Sequence, residues 1–339
     1  MFGNGGRVVT PLGHSYGVDL VSITVYQADG KLISGNGHTL FRVTAAGGLD
    51  PTFGDGGFVT VLPTIYTLAL QTDGKLLVGG ALNPDGLETI ADFTVARYLP
   101  NGQLDSTFAT GGLLRIASRL TKFTRAAQLL VQPDGKILVL GRLPYTEGDI
   151  AATPVVVRFL ASGVIDTTFG DAGKRFLQEA SLPYLAIYTM ALQPDGKILL
   201  GGDSGSETTG AILWRLKANG TLDPTFAGDG KSMTDFGAGL RSIEHIALQP
   251  DGKLVMAVSS PYRAAGEQNM DVVRLLADGT LDVTFANAGR ATVNLSAAVS
   301  ETATDLVVLP DGNLLVRGLL DGGNEQLLLR LSSAGVLDQ

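Results

Sequence analysis

The sequence predicts an all-β protein, a six-bladed β-propeller with four antiparallel strands per blade, and three observations carry that expectation. A tight Asp-Gly turn recurs in step along the chain, at Asp29-Gly30, Asp73-Gly74, Asp134-Gly135, Asp195-Gly196, Asp251-Gly252 and Asp311-Gly312. A second turn follows each of these, at Gly47-Gly48, Asn101-Gly102, Ser162-Gly163, Asn219-Gly220, Asp278-Gly279 and Ala334-Gly335. Hydrophobic residues make up 45% of the chain, charged residues only 17%, and there are 45 glycines, which suits many short buried strands joined by tight turns. Six units in 339 residues average about 56 residues each, the size of a propeller blade and too long for a β-helix rung.

The elements of a unit follow in order. The first and second strands flank the Asp-Gly turn, as in Ala191-Leu192-Gln193-Pro194-Asp195-Gly196-Lys197-Ile198-Leu199-Leu200, where glycine supplies the positive φ of the turn. A third apolar strand runs to the second turn. Next comes a motif Leu-Asp-x-Thr-Phe, seen at Leu49–Phe53, Leu104–Phe108, Ile165–Phe169, Leu222–Phe226 and Leu281–Phe285. The fourth strand follows it, for example Gly57-Phe58-Val59-Thr60-Val61-Leu62. The chain stops at Val336-Leu337-Asp338-Gln339, inside the motif, and opens at Phe2-Gly3, where the motif would resume. Residues 6–12 are therefore expected to supply the fourth strand of the blade whose first three strands come from about residues 301–333, closing one domain over 1–339.

The unit, with its Gln-Pro-Asp-Gly-Lys turn and Leu-Asp-x-Thr-Phe-Gly motif, resembles the bacterial delta-60 repeat, a β-propeller family without an assigned biochemical function. The resemblance covers essentially the whole chain. Local departures are Thr72 for the proline, Asn313 for the lysine, and alanine for glycine after Phe108, Phe226 and Phe285. The resemblance implies the fold and a secreted or cell-envelope location, and it implies no catalytic residues.

The net charge of −8 and the pI near 4.9 argue against nucleic acid or an anionic membrane as partner. The absence of cysteine excludes disulfides, thiolate metal sites and cysteine nucleophiles. No apolar stretch approaches the roughly 20 residues of a spanning helix. The opening Met1-Phe2-Gly3-Asn4-Gly5-Gly6 has neither the charged nor the apolar region of a signal peptide. His14, His38 and His245 share no metal-ligand spacing, the Asp-Gly turns lack the alternating acids of a calcium loop, and no phosphate loop is present. No metal and no cofactor is expected, and the chain is expected to be a monomer.

One arginine precedes the motif aspartate by eight positions in every unit: Arg42 and Asp50, Arg97 and Asp105, Arg158 and Asp166, Arg215 and Asp223, Arg274 and Asp282, Arg330 and Asp338. A catalytic feature is seldom needed six times. The expectation is a buried or half-buried, bidentate ion pair that ties the third strand to the turn beyond it.

Function is expected on the face where the connections vary, namely Asn36-Gly37, 81–92, 143–153, 203–210, 260–269 and 321–325, near the mouth of the channel. First-strand positions counted back from each turn aspartate break the sixfold repetition. Seven back stand Ser22, Tyr66, Ala127, Tyr188, Glu244 and Thr304; six back, Ile23, Thr67, Gln128, Thr189, His245 and Asp305; ten back, Asp19, Pro63, Thr124, Leu185, Arg241 and Glu301. Such breaks are expected at functional sites. The candidate ligand-binding residues are Asp19, Tyr66, Tyr188, Arg241, Glu244, His245, Glu301 and Asp305. The leading reading is a non-enzymatic module that binds a protein, peptide or glycan. The alternative is a hydrolase or lyase at the channel mouth, with Glu244, His245, Glu301 and Asp305 as acid and base, which would require these groups to converge within about 3 Å of a common point.

Overall fold

A computed structural model describes residues 23–82, 92–116, 126–144, 152–179, 181–182, 185–205, 210–232, 242–259, 269–294, 301–320 and 325–338. Every regular element among them is a strand. The blades fall in two compact units, Met1–Leu177 and Gln178–Gln339, with three blades in each.

In the first unit, blade 1 is β1 (Ile23–Tyr26), β2 (Leu32–Asn36), β3 (Thr39–Val43) and β4 (Phe58–Thr60). Blade 2 is β5 (Thr64–Leu70), β6 (Leu76–Leu82), β7 (Asp92–Tyr98) and β8 (Leu113–Ile116). Blade 3 is β9 (Ala126–Val131), β10 (Ile137–Pro144), β11 (Ala152–Phe159) and β12 (Lys174–Phe176). The second unit holds blade 4, of β13 (Ala186–Leu192), β14 (Ile198–Asp203), β15 (Ala211–Leu216) and β16 (Lys231–Ser232). Blade 5 is β17 (Ser242–Leu248), β18 (Leu254–Ser259), β19 (Met270–Leu275) and β20 (Arg290–Val293), and blade 6 is β21 (Glu301–Val308), β22 (Leu314–Leu320) and β23 (Glu325–Leu331). Each blade is an antiparallel meander in chain order, and the six sheets make the chain a six-bladed β-propeller. The closing strand expected from 6–12 lies outside the described residues. Leu328 of β23 is 63% exposed, whereas its counterparts Leu40, Val95, Val156, Leu213 and Val272 are fully buried.

The burial pattern explains the sequence pattern. The middle strand β15 is buried on both faces, so its Ala211-Ile212-Leu213-Trp214 reads as a continuous apolar run rather than an alternating one, whereas the equally buried β7 carries Asp92, Thr94 and Arg97 among its apolar residues. Neighbouring blades share cores within each unit. Leu40, Phe53 and Val59 of blade 1 pack with Leu68, Val78 and Tyr98 of blade 2, and Val255, Val272 and Phe285 of blade 5 with Leu306, Val316 and Leu331 of blade 6.

The turn chemistry is more specific than a bare Asp-Gly hairpin. In the turn of blade 4 the Gly196 amide donates to the Gln193 carbonyl at 2.9 Å, and the Gln193 amide to the Lys197 carbonyl at 2.8 Å. Gly196 has a φ of 83° and Asp195 Oδ1 accepts the Lys197 amide at 3.1 Å. This is a type I turn with a glycine bulge.

The arginine-aspartate pairs are buried in the first five blades, but they are not bidentate. A single contact joins Nε to Oδ2, at 2.9 Å for Arg42 and Asp50 and 2.8 Å for Arg274 and Asp282. The rest of each guanidinium is engaged elsewhere, which is why a fork to the carboxylate does not form. Nη2 of Arg42 donates to Thr52 Oγ1 at 3.0 Å, and its Cζ sits 4.6 Å from the centre of the Phe53 ring. Nη1 reaches the next blade, donating to the carbonyl of Pro100 from Arg42, of Ala161 from Arg97, of Ala277 from Arg215 and of Ser333 from Arg274. The turn lysines Lys31, Lys75, Lys136, Lys197 and Lys253 join the same aspartates. The motif is thus a fastener between blades. In the sixth pair the Arg330 and Asp338 side chains are 53% and 44% exposed, and Asn313 stands where the lysine would be.

A second seam runs beside the first. In four blades the amide after the motif phenylalanine donates to a carbonyl in the next blade's second turn, from Gly54 to Asn101, Ala109 to Ser162, Ala227 to Asp278 and Ala286 to Ala334. These alanines hold positive φ, as Gly54 does at the same place in blade 1.

Candidate functional site

The candidate residues lie at an irregularity that repeats from blade to blade. In β5, Ile65 pairs with Gly80 and Thr67 with Gly79, so Tyr66 is the extra residue of a β-bulge. The same bulge falls at Ala127 in β9, Tyr188 in β13, Glu244 in β17 and Thr304 in β21. These are the positions counted seven back from the turn aspartate. A bulge re-aims side chains and locally interrupts the ladder. The chain comes close enough there that a Cβ on Gly80 would sit 1.8 Å from the Thr64 carbonyl oxygen, and one on Gly202 1.9 Å from that of Ala186. Blade 5 keeps the bulge with Val258 at this place, so glycine eases the approach without being required.

In the second unit the bulges place Tyr188, Glu244 and Thr304 at equivalent points of blades 4, 5 and 6, followed by Thr189, His245 and Asp305. Tyr188 is 48% exposed. His245 Nε2 stands 3.4 Å from Asp305 Oδ1, across the seam between blades 5 and 6. The other ring nitrogen, Nδ1, is buried and meets no partner among the described residues. Glu244 accepts a hydrogen bond from Ser259 Oγ at 3.0 Å. Glu301 is buried at the start of β21. Leu185 and Pro63, its counterparts ten positions back, are buried too. In the first unit Tyr66 is half-buried, and Thr67 Oγ1 accepts the Leu129 amide of the next blade at 3.1 Å. Asp19 and Arg241 lie outside the described residues, as do most of the variable connections, at 83–91, 145–151, 206–209, 260–268 and 321–324.

The structure thus joins His245 to Asp305, and Glu244 to Ser259. Among the described residues no group of three or more histidine, aspartate or glutamate side chains could hold a metal ion. Two neighbours went unnoticed in the sequence, Ser259 beside Glu244 and Arg317 directly opposite Asp305 in the register. Both are revealed by strand pairing, which spacing along the chain does not encode.

The perturbed carboxylates are elsewhere, in the blade fastener. Asp50 and Asp166 are held below the ordinary carboxylate range, chiefly by hydrogen bonds from Thr52 and Thr168. For Asp105, Asp223 and Asp282 the largest influence is burial, which opposes ionisation, but bonds from Thr107, Thr225 and Thr284 and the neighbouring cations outweigh it. Strong perturbation can mark a catalytic site. Its fivefold repetition with the same partners marks it here as structural.

A groove of about 300 Å³ beside β20 is lined by Ala286, Ala291, Leu331, Gly335 and Leu337, and one of about 280 Å³ beside β8 by the equivalent Ala109, Leu114, Phe159, Gly163 and Ile165. Equivalence between two blade pairs makes these grooves part of the architecture.

A glucose dehydrogenase structure is 12% identical over 91% of this chain and 95% of its own, with a TM-score of 0.54. A GH74 xyloglucanase from Xanthomonas campestris is 15% identical over 94% of this chain and 45% of its own, with a TM-score of 0.55. A protein of unknown function from Dyadobacter fermentans is 13% identical over 91% and 92%, with a TM-score of 0.49. For the glucose dehydrogenase and the xyloglucanase, at such identities, the likeness is one of fold alone. No curated protein matches the chain. Residues 71–108, 132–169, 193–226 and 249–285 match the β-propeller family described as a domain of unknown function, DUF5122. Each match runs from the glutamine of the first turn to the motif phenylalanine, so the similarity to this family falls on the same part of four of the six blades.

Proposed function

We propose that the protein is a non-catalytic recognition module that binds a protein, peptide or glycan through the variable-loop face, with Tyr188, Glu244, His245 and Asp305 contributing from the second unit. The observation that supports this most is the bulge itself. Its backbone repeats in five blades while its side chain changes among tyrosine, alanine, glutamate and threonine. A fixed frame with a changing side chain is how a rigid scaffold presents recognition groups. An exposed aromatic ring on blade 4, with carboxylates and an imidazole at the equivalent places of blades 5 and 6, offers stacking and hydrogen bonding from one set of positions.

The alternative, a hydrolase or lyase, rests on the contact between His245 and Asp305. That contact supplies a base and a group to orient it, yet no nucleophile accompanies it among the described residues. Secretion or attachment to the cell envelope, a monomeric state and a single domain over 1–339 belong to the same proposal.

The test is a glycan and peptide array probed with the wild-type chain and with Tyr188→Ala, Glu244→Gln and His245→Ala. A ligand whose affinity falls at least about tenfold in Tyr188→Ala supports the reading, since an aromatic anchor is worth this much or more. Binding that none of the three changes alters moves the site elsewhere, and turnover of an array compound that His245→Ala abolishes establishes the enzyme instead.

A further inference from the structure

Five glutamines occupy one position in five blades, immediately before the first turn: Gln27, Gln71, Gln132, Gln193 and Gln249. Each uses its backbone to close the turn, the amide donating to the lysine carbonyl four residues on at 2.8 or 2.9 Å and the carbonyl accepting the glycine amide. The side chains do something the turn does not require. In all five, Oε1 is buried and meets no donor among the described residues. Gln132, Gln193 and Gln249 are only 7%, 9% and 8% exposed as whole residues. Blade 6 supplies an internal control, because Leu309 stands at this position and its amide makes the same turn bond, to the Asn313 carbonyl at 2.8 Å.

A buried carbonyl oxygen without a donor costs most of its lost hydration. Five such costs would together rival the whole net stability of an ordinary domain. Buried polar atoms that lack a protein partner are most often met by an internal water, which needs a small polar space and two or more partners.

We infer that each of the five glutamines binds one internal water through Oε1, a solvent site built into the repeat unit and lost in blade 6. The water is then a fixed part of each blade, held at the end of the first strand, and the glutamine of the turn sequence is selected for holding it. Leucine serves where no such water is kept.

The test is a crystal structure of the full chain at about 1.5 Å, with count of long-lived waters in solution by water ¹⁷O magnetic relaxation dispersion. Five ordered waters are expected, each about 2.9 Å from one Oε1, and none at Leu309. Gln132→Leu should lose its own water and leave the other four, and Leu309→Gln should gain a sixth. Dry Oε1 atoms would overturn the inference, as would amides turned so that Nε2 faces inward and donates to a protein carbonyl. If Gln132→Leu fails to fold, Leu309→Gln still decides, because a variant that folds without the added water refutes the proposal. Neither result bears on ligand binding at Tyr188 or His245.

Discussion

Arg274 is 7% exposed and keeps its charge in the interior because every edge of its guanidinium is occupied. Asp282 takes Nε at 2.8 Å, the Ser333 carbonyl takes Nη1 at 2.7 Å, and the face lies 4.6 Å from the centre of the Phe285 ring. Replacing Asp282 by asparagine removes the countercharge and leaves the cation buried, which should cost about 3 kcal/mol. Asp338→Asn breaks the same pair where it is exposed and should cost under about 1 kcal/mol. Urea unfolding of the two variants checks the contrast, and equal losses would show that burial does not set the strength of this motif. The eight-residue spacing made the pair readable from sequence. Its arm to the next blade was not, because Arg274 and Ser333 are brought together by blade packing and no local pattern records that.

At the scale of the element, the second turn has a role beyond reversing the chain. Gly279 has a φ of 91°, and a Cβ there would lie 2.6 Å from Cε2 of Phe226 in the preceding blade. Gly335 meets Phe285 and Gly163 meets Phe108 in the same way. The glycine of one blade therefore makes room for the motif phenylalanine of the blade before it. Gly279→Ala should cost both the left-handed conformation, about 1–2 kcal/mol, and the overpacking against Phe226, about 1–3 kcal/mol. Gly37→Ala, at a φ of 55° with nothing within 4 Å, should cost the first part alone. Melting temperatures of both variants would separate the contributions, and matching shifts would mean that Phe226 moves aside freely. Strands and turns were legible because their signals are local: an apolar run for β15, Asp-Gly for the first turn. The bulge at Glu244 was visible only as a break in the repetition. Its geometry depends on how β17 pairs with β18, and the partner at Ser259 follows from that pairing.

At the scale of the molecule, five buried aspartates of one kind make stability depend on acid. Asp50, Asp105, Asp166, Asp223 and Asp282 are all held below the ordinary carboxylate range in the folded chain. A group depressed in this way contributes its full stability above the unfolded value, about 3.9 for aspartate, and loses it as pH falls toward the folded value. The unfolded chain binds more protons across that window, so stability should be flat above about pH 5 and fall steeply below about pH 4. The half-exposed turn aspartates, such as Asp134 and Asp195, add little because solvent screens them. Trp214 is the single tryptophan and is buried in blade 4, so its fluorescence follows the second unit, while far-UV circular dichroism follows all the strands. If 1–339 behaves as one domain, the two signals should trace the same acid transition; a fluorescence change displaced from the dichroism change would mean that the units at 1–177 and 178–339 unfold separately. Unit 1–177 holds three of these aspartates, Asp50, Asp105 and Asp166, and unit 178–339 two, Asp223 and Asp282, so if the units separate, acid should unfold the first before the tryptophan of the second reports a change.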